Sequence, residues 1–212
     1  MRIIICLLLY ITCFVATANN EELEEAAKLY THSDNEVKLK ICSDKGNDFC
    51  SGLLGEKYYN DKKYNLAYPL LLKCSKKVPF CDLYLGQMFS NGEGVLQNDE
   101  KAIKHLENAA RGGFGISAYN LGVKFSHKAY PYAYSFTSQE VNQYKYNLAR
   151  SYAWYKVSMA LGEKDAESTN GHIEPLLDHI NSLKNKLVAI NYLSEADTLA
   201  KEICSGISEC TQ

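Results

Sequence analysis

Cys50 is followed four residues on by Leu54-Gly55, and Cys81 four residues on by Leu85-Gly86. Each has a second cysteine upstream, Cys42 eight residues before Cys50 and Cys74 seven before Cys81. A unit of about 31 residues therefore recurs, and a cysteine pair recurs with it. Another 36 positions on, Leu121-Gly122 falls into register, with Ala110 and Ser117 where the pair would stand. Self-similarity on this scale predicts helical hairpins stacked in a row, because one hairpin cannot bury its apolar face alone. The expected fold is all-α, an α-solenoid of stacked antiparallel helix hairpins.

The chain opens with one basic residue, Arg2, an apolar run from Ile3 to Val15, and Ala16-Thr17-Ala18 before Asn19-Asn20. That order predicts a secretory signal peptide over residues 1–18 and a periplasmic or secreted protein. The run is shorter than the roughly 20 residues of a membrane span, and no later segment approaches that length. A lipid-modified Cys13 is the alternative, but Thr12 precedes it where a small residue is the rule.

Removing the leader takes away Cys6 and Cys13 and leaves six of the eight cysteines. An even number in an exported chain points to disulfides. The six cluster as Cys42/Cys50, Cys74/Cys81 and Cys204/Cys210, so neighbour pairing is expected. Zinc competes as a reading, yet these gaps exceed the usual Cys-x2-4-Cys and no histidine stands near. The formal charge of −2 becomes −3 once Arg2 is lost, and no basic patch is evident, which argues against nucleic acid. No Gly, Pro or Ser-rich linker interrupts residues 19–212, so one domain is expected.

Helical periodicity predicts helices over Glu21–Tyr30, Asn35–Ser43, Gly52–Tyr59 and Lys62–Lys76, the last with Pro69 inside it. Pro79 is expected to close the bend between Cys74 and Cys81. Leu85–Phe89 reads as a helix, Asn91–Val95 as a turn, and Asp99–Arg111 as the returning helix. Gly92 and Gly94 suit a helix C-cap and a tight loop. A phosphate loop would need a preceding strand and further glycines.

Leu85-Gly86-x-x-Phe89-x-x-Gly92-x-Gly94-Val95-x-x-x-Asp99-x-Lys101-Ala102, running on to Ala109-Ala110-x-Gly112, resembles the Sel1-like repeat, a relative of the tetratricopeptide repeat. Ala149-Arg150-Ser151-Tyr152-Ala153-Trp154-Tyr155, through Gly162 and Ala166, is similar to the helix that commonly closes bacterial Sel1-like arrays. The cysteine pairs flanking each bend resemble the secreted, cysteine-rich branch of that family. The resemblance covers residues 36–167. It implies a scaffold that binds a protein or peptide partner in its concave groove.

Departures from the pattern carry information. Gly55 to Ala67 spans 12 positions against 16 from Gly86 to Ala102, so the first turn is shorter. Gly122 to Ser151 spans 29, an insertion of 13. The insertion holds Tyr130, Tyr132, Tyr134 and Phe136, and Thr137-x-x-Glu140 then resembles a capping box opening a helix to about Leu161. With Tyr144 on that helix, these rings are the candidate partner-binding residues, since tyrosine offers large contact area and a polar tip. Packing of the extra loop onto the scaffold is the competing explanation. Trp154 is expected in the core.

Catalytic patterns are thin. There is no His-Glu-x-x-His and no Gly-x-Ser-x-Gly. His32, His105, His127, His172 and His179 stand apart in sequence, His172 and His179 seven residues from each other. The family resemblance admits β-lactam binding or hydrolysis, but no serine has lysine three residues on, and Ser33-Asp34-Asn35 stands alone. The expectation is a non-catalytic protein that uses no cofactor or metal. Its partner would be an envelope component, a toxin to be neutralised or a host protein.

Overall fold

A computed structural model describes residues 20–30, 35–134, 137–162, 173–208 and 210. The expected leader, Phe136 and His172 lie outside the described residues. All regular structure among the described residues is helical. The helices are α1 (Asn20–Tyr30), α2 (Asn35–Asp44), α3 (Asp48–Asn60), α4 (Tyr64–Cys74), α5 (Pro79–Asn91), α6 (Asp99–Arg111), α7 (Gly115–Ala129), α8 (Ser138–Gly162), α9 (Ile173–Ala189) and α10 (Leu193–Ser205), with a 3-10 turn at Tyr130–Tyr132. No helix among the described residues is long and apolar enough to cross a membrane. Three disulfides join Cys42 to Cys50, Cys74 to Cys81 and Cys204 to Cys210. Such bonds fit an oxidising compartment.

The chain divides into two compact units, residues 1–105 and 106–212, with the division inside α6. In the first unit each helix from α1 to α5 packs against the next, and α3 also meets α1 and α5. Its apolar interior is a succession of local cores. Ala26, Leu39, Cys42, Cys50, Leu53 and Leu54 form one, and Ala67, Leu71, Cys74, Val78, Cys81, Leu85 and Met88 the next. Each holds one disulfide.

The helix ends explain where the expected boundaries move. Asn47 caps α3 by accepting a hydrogen bond from Cys50 N at 3.0 Å, so that helix begins before Gly52. Lys62 and Lys76 carry φ of 59° and 67°, outside helical geometry, and α4 is confined between them. Pro79, expected in the bend, is instead at the first turn of α5, where a missing N–H costs nothing. Gly92, at φ 73°, caps α5 in the left-handed region, and Gly94 follows at φ 70°.

In two of the three Leu-Gly pairs the glycine has a packing reason. Leu54, Leu85 and Leu121 are fully buried. A Cβ on Gly55 would lie 2.8 Å from Leu71 Cγ, and one on Gly122 2.6 Å from Tyr155 Cδ1. Glycine inside a helix costs about 1 kcal/mol relative to alanine. Here it lets the next helix approach.

In the second unit, α8 is the shared element: α7, α9 and α10 all pack on it. Ser151 and Ser158, seven residues apart on α8, donate to the carbonyls of Gly122 and Gly115 on α7 at 2.8 and 2.9 Å. Those glycines are also seven apart, so two close crossings repeat along one helix face. Thr137 Oγ1 accepts from Glu140 N at 3.3 Å, and its hydroxyl donates to the Glu140 carboxylate. The cap therefore closes side chain to side chain, where a capping box would return to the Thr137 N–H. Leu148, Tyr152, Tyr155, Leu176, Ile180, Leu183 and Leu187 fill the interior of this unit.

The bend that lacks cysteines keeps part of the form of one that has them. Around the second disulfide, Lys77 N bonds Cys74 O and Cys81 N bonds Val78 O. Around Ala110 and Ser117, Gly113 N bonds Ala110 O and Ser117 N bonds Phe114 O at the equivalent positions, but Phe114 N reaches Ala109 O where Val78 N reaches Cys74 O, and the left-handed residue is Gly113 rather than the counterpart of Lys76. Both residues are fully buried, and Ser117 Oγ finds no partner among the described residues.

Candidate functional site

The aromatic insertion follows the end of α7. Pro131 stands at the start of the 3-10 turn, and Ala133 N closes it on Tyr130 O at 3.1 Å. Asn147 of α8 donates to Lys128 O at 3.0 Å, which ties the start of the insertion to the long helix. On this support Tyr130 is 76% exposed and Tyr134 84% exposed. Tyr132 is half-buried.

Tyr144 differs from the loop rings. It packs against the core of the second unit, and burial, with the nearby Tyr134 hydroxyl, pushes its phenol up. Tyr144 and Tyr134 are therefore neighbours, one seated and one projecting. Tyr146 is a ring that sequence patterning did not single out. It is half exposed, and Arg150 Nη1 donates to its hydroxyl at 3.0 Å. The same guanidinium lies 4.4 Å from the Phe125 ring centroid and donates to Glu107 at 2.7 Å. Its only sequence signal is spacing, because Tyr146 and Arg150 are four apart on a helix. Trp154, expected in the core, is 1% exposed.

A serine, a carboxylate and an imidazole do meet in the first unit. Asp82, fully buried, accepts from Ser75 Oγ at 2.9 Å and Lys76 N at 2.7 Å, and lies 2.7 Å from His105 Nδ1. The order is wrong for nucleophile activation, which needs the serine on the imidazole. Here both bond the aspartate between them. His105 also stacks on Phe89 at 5.6 Å, so the cluster fastens α6 to the bend after α4. His127 and His179 are exposed, and His179 lies 5.5 Å from the Tyr155 ring. Among the described residues no three histidine, cysteine or acidic side chains gather as metal ligands.

A second aromatic group stands on α3, α4 and α5. Tyr59 meets Tyr64 at 5.5 Å and Tyr84 at 5.0 Å between ring centroids. Their hydroxyls go to acids: Tyr59 and Tyr64 donate to Glu93 at 2.7 and 3.2 Å, and Tyr84 to Glu56 at 2.8 Å. Burial, then the Glu93 carboxylate, pushes the Tyr59 phenol up, and burial pushes the Glu56 carboxyl up. Glu93 is delivered by the Gly92-Glu93-Gly94 turn, whose tightness shows in Gly94, where a Cβ would lie 2.5 Å from Tyr64 Cβ. No family model, curated protein or solved structure matches this chain.

Proposed function

We propose that the chain is an exported, non-catalytic Sel1-like repeat protein, an α-solenoid of helix hairpins that binds a protein or peptide partner in the groove such an array implies. The recurring Leu-Gly and cysteine positions, the pairwise packing of α1 to α5 and the disulfides support the repeat reading. The observation that carries recognition is the exposure of Tyr130 and Tyr134, in an insertion the repeat does not need. A ring kept in water by its own scaffold contributes little to folding and is free to be buried by a partner.

The test is affinity capture from envelope extract with the wild-type protein and with Tyr130→Ala/Tyr134→Ala. Loss of a specifically captured partner, with an unchanged melting temperature, supports the proposal. Full capture by the double variant, or nitrocefin turnover by the purified protein, overturns it.

A further inference from the structure

The rings on α3, α4 and α5 are arranged for a ligand of definite chemistry. Tyr59, Tyr64 and Tyr84 form a run of touching, half-buried rings, none parallel to its neighbour. Glu93 accepts from the Tyr59 and Tyr64 hydroxyls and Glu56 from the Tyr84 hydroxyl. Neither acid meets a basic side chain among the described residues. Two carboxylates without a counter-ion, at the hydroxyl ends of rings whose faces carry negative quadrupole, make a half-buried negative surface.

The acids also have acceptor positions to spare. Each carboxylate oxygen accepts two hydrogen bonds, yet Glu56 Oε1 takes one phenol and Oε2 takes none among the described residues. Glu93 Oε1 likewise takes one phenol. A cation with N–H donors can use these positions while its methylenes lie on the rings, whereas a quaternary ammonium reaches the rings alone.

We infer that Tyr59, Tyr64 and Tyr84, with Glu56 and Glu93, form a binding site for a primary ammonium group on an aliphatic stem. A lysine side chain and a free aliphatic amine share that chemistry. The site lies in the first unit and the exposed tyrosine loop in the second, so either reading stands or falls without the other.

The test follows the aromatic resonances of Tyr59, Tyr64 and Tyr84 by NMR at constant ionic strength. n-Butylammonium chloride should shift them saturably, 1-butanol should not, and tetramethylammonium should bind several-fold more weakly. Glu56→Gln/Glu93→Gln keeps acceptors for the phenols and should weaken butylammonium by at least about tenfold, the factor expected for losing one charge-assisted hydrogen bond. Should the double variant fail to fold, Glu56→Gln alone disturbs only the Tyr84 contact and is read the same way. The peptide Gly-Lys-Gly distinguishes the sources: tighter binding than butylammonium assigns a peptide lysine, and equal or weaker binding assigns a free amine, both upholding the site. Equal shifts from butanol, tetramethylammonium as tight as butylammonium, unchanged affinity in the folded variants, or no saturation overturns the inference.

Discussion

Replacing Gly122 with alanine tests the close crossing of α7 and α8. The new Cβ would stand 2.6, 2.7 and 2.8 Å from three atoms of the Tyr155 ring, so about 1 Å of retreat is needed to reach ordinary contact. The ring has nowhere to go. Tyr155 is 1% exposed and is held between Tyr119 and His179, each 5.5 Å away by ring centroid. If the helices separate instead, the 2.8 Å hydrogen bond from Ser151 Oγ to Gly122 O is lost. Overpacking of this kind costs about 1 to 3 kcal/mol, and the alanine recovers about 1 kcal/mol of helix propensity. A net loss of up to about 2 kcal/mol is expected, or as much as roughly 8 °C in melting temperature for a chain this long. Gly115→Ala is the control, since its nearest contact, Leu161 Cβ at 3.3 Å, needs only a few tenths of an ångström. Thermal and urea unfolding of both variants should separate them. In a Tyr155→Leu background, which removes the obstructing ring, the cost of Gly122→Ala should shrink or change sign. Equal tolerance of the two glycine variants, or a cost unaltered by Tyr155→Leu, would refute the close-approach argument.

Trp154→Ala should cost about 3 to 5 kcal/mol in urea unfolding, as for other fully buried aromatic rings. Trp154→Phe should be milder than the lost area suggests, because the indole N–H has no acceptor among the described residues. Ala110→Cys/Ser117→Cys should form a disulfide spontaneously, detected by non-reducing peptide mapping, since both positions are fully buried and that bend shares two equivalent backbone hydrogen bonds with the Cys74–Cys81 bend. In the wild type, hydrogen exchange should be faster across residues 111–115 than across the stapled bend. Glu56→Gln should be neutral or stabilising at neutral pH. The folded state raises the Glu56 carboxyl, so it holds the proton more tightly than the unfolded chain does. Stability is therefore greatest below the ordinary glutamate range and declines as pH rises through the folded value; the variant should flatten that part of the stability profile.

Helical class, the Asp99–Arg111 helix to its residue limits, and the left-handed glycines of the Gly92-Glu93-Gly94 turn were all legible along the chain. Each depends on residues within one or two turns: apolar period, capping and tolerance of positive φ. Cysteine clustering was local in the same way, and the three bonds join neighbours in sequence. The start of α3 at Asp48 and the confinement of α4 between Lys62 and Lys76 were not legible, because an asparagine cap and left-handed lysines carry no apolar signal. The aromatic insertion could be found from the lengthened spacing, but not which rings it exposes. Tyr130 and Tyr132 are two residues apart in one sequence run, yet the 3-10 turn leaves the first in solvent and half-buries the second. Glu93 read as the variable position of a turn, Tyr59 and Tyr64 as ordinary helix residues, and Tyr84 stood just ahead of the expected Leu85–Phe89 helix. Their meeting needs three helices and one turn placed together, with partners up to 34 residues apart in the chain. Local sequence sets backbone preference through short-range sterics and hydrogen bonds. Which side chains share a surface is decided by packing between segments, and that exists only once the helices are in contact.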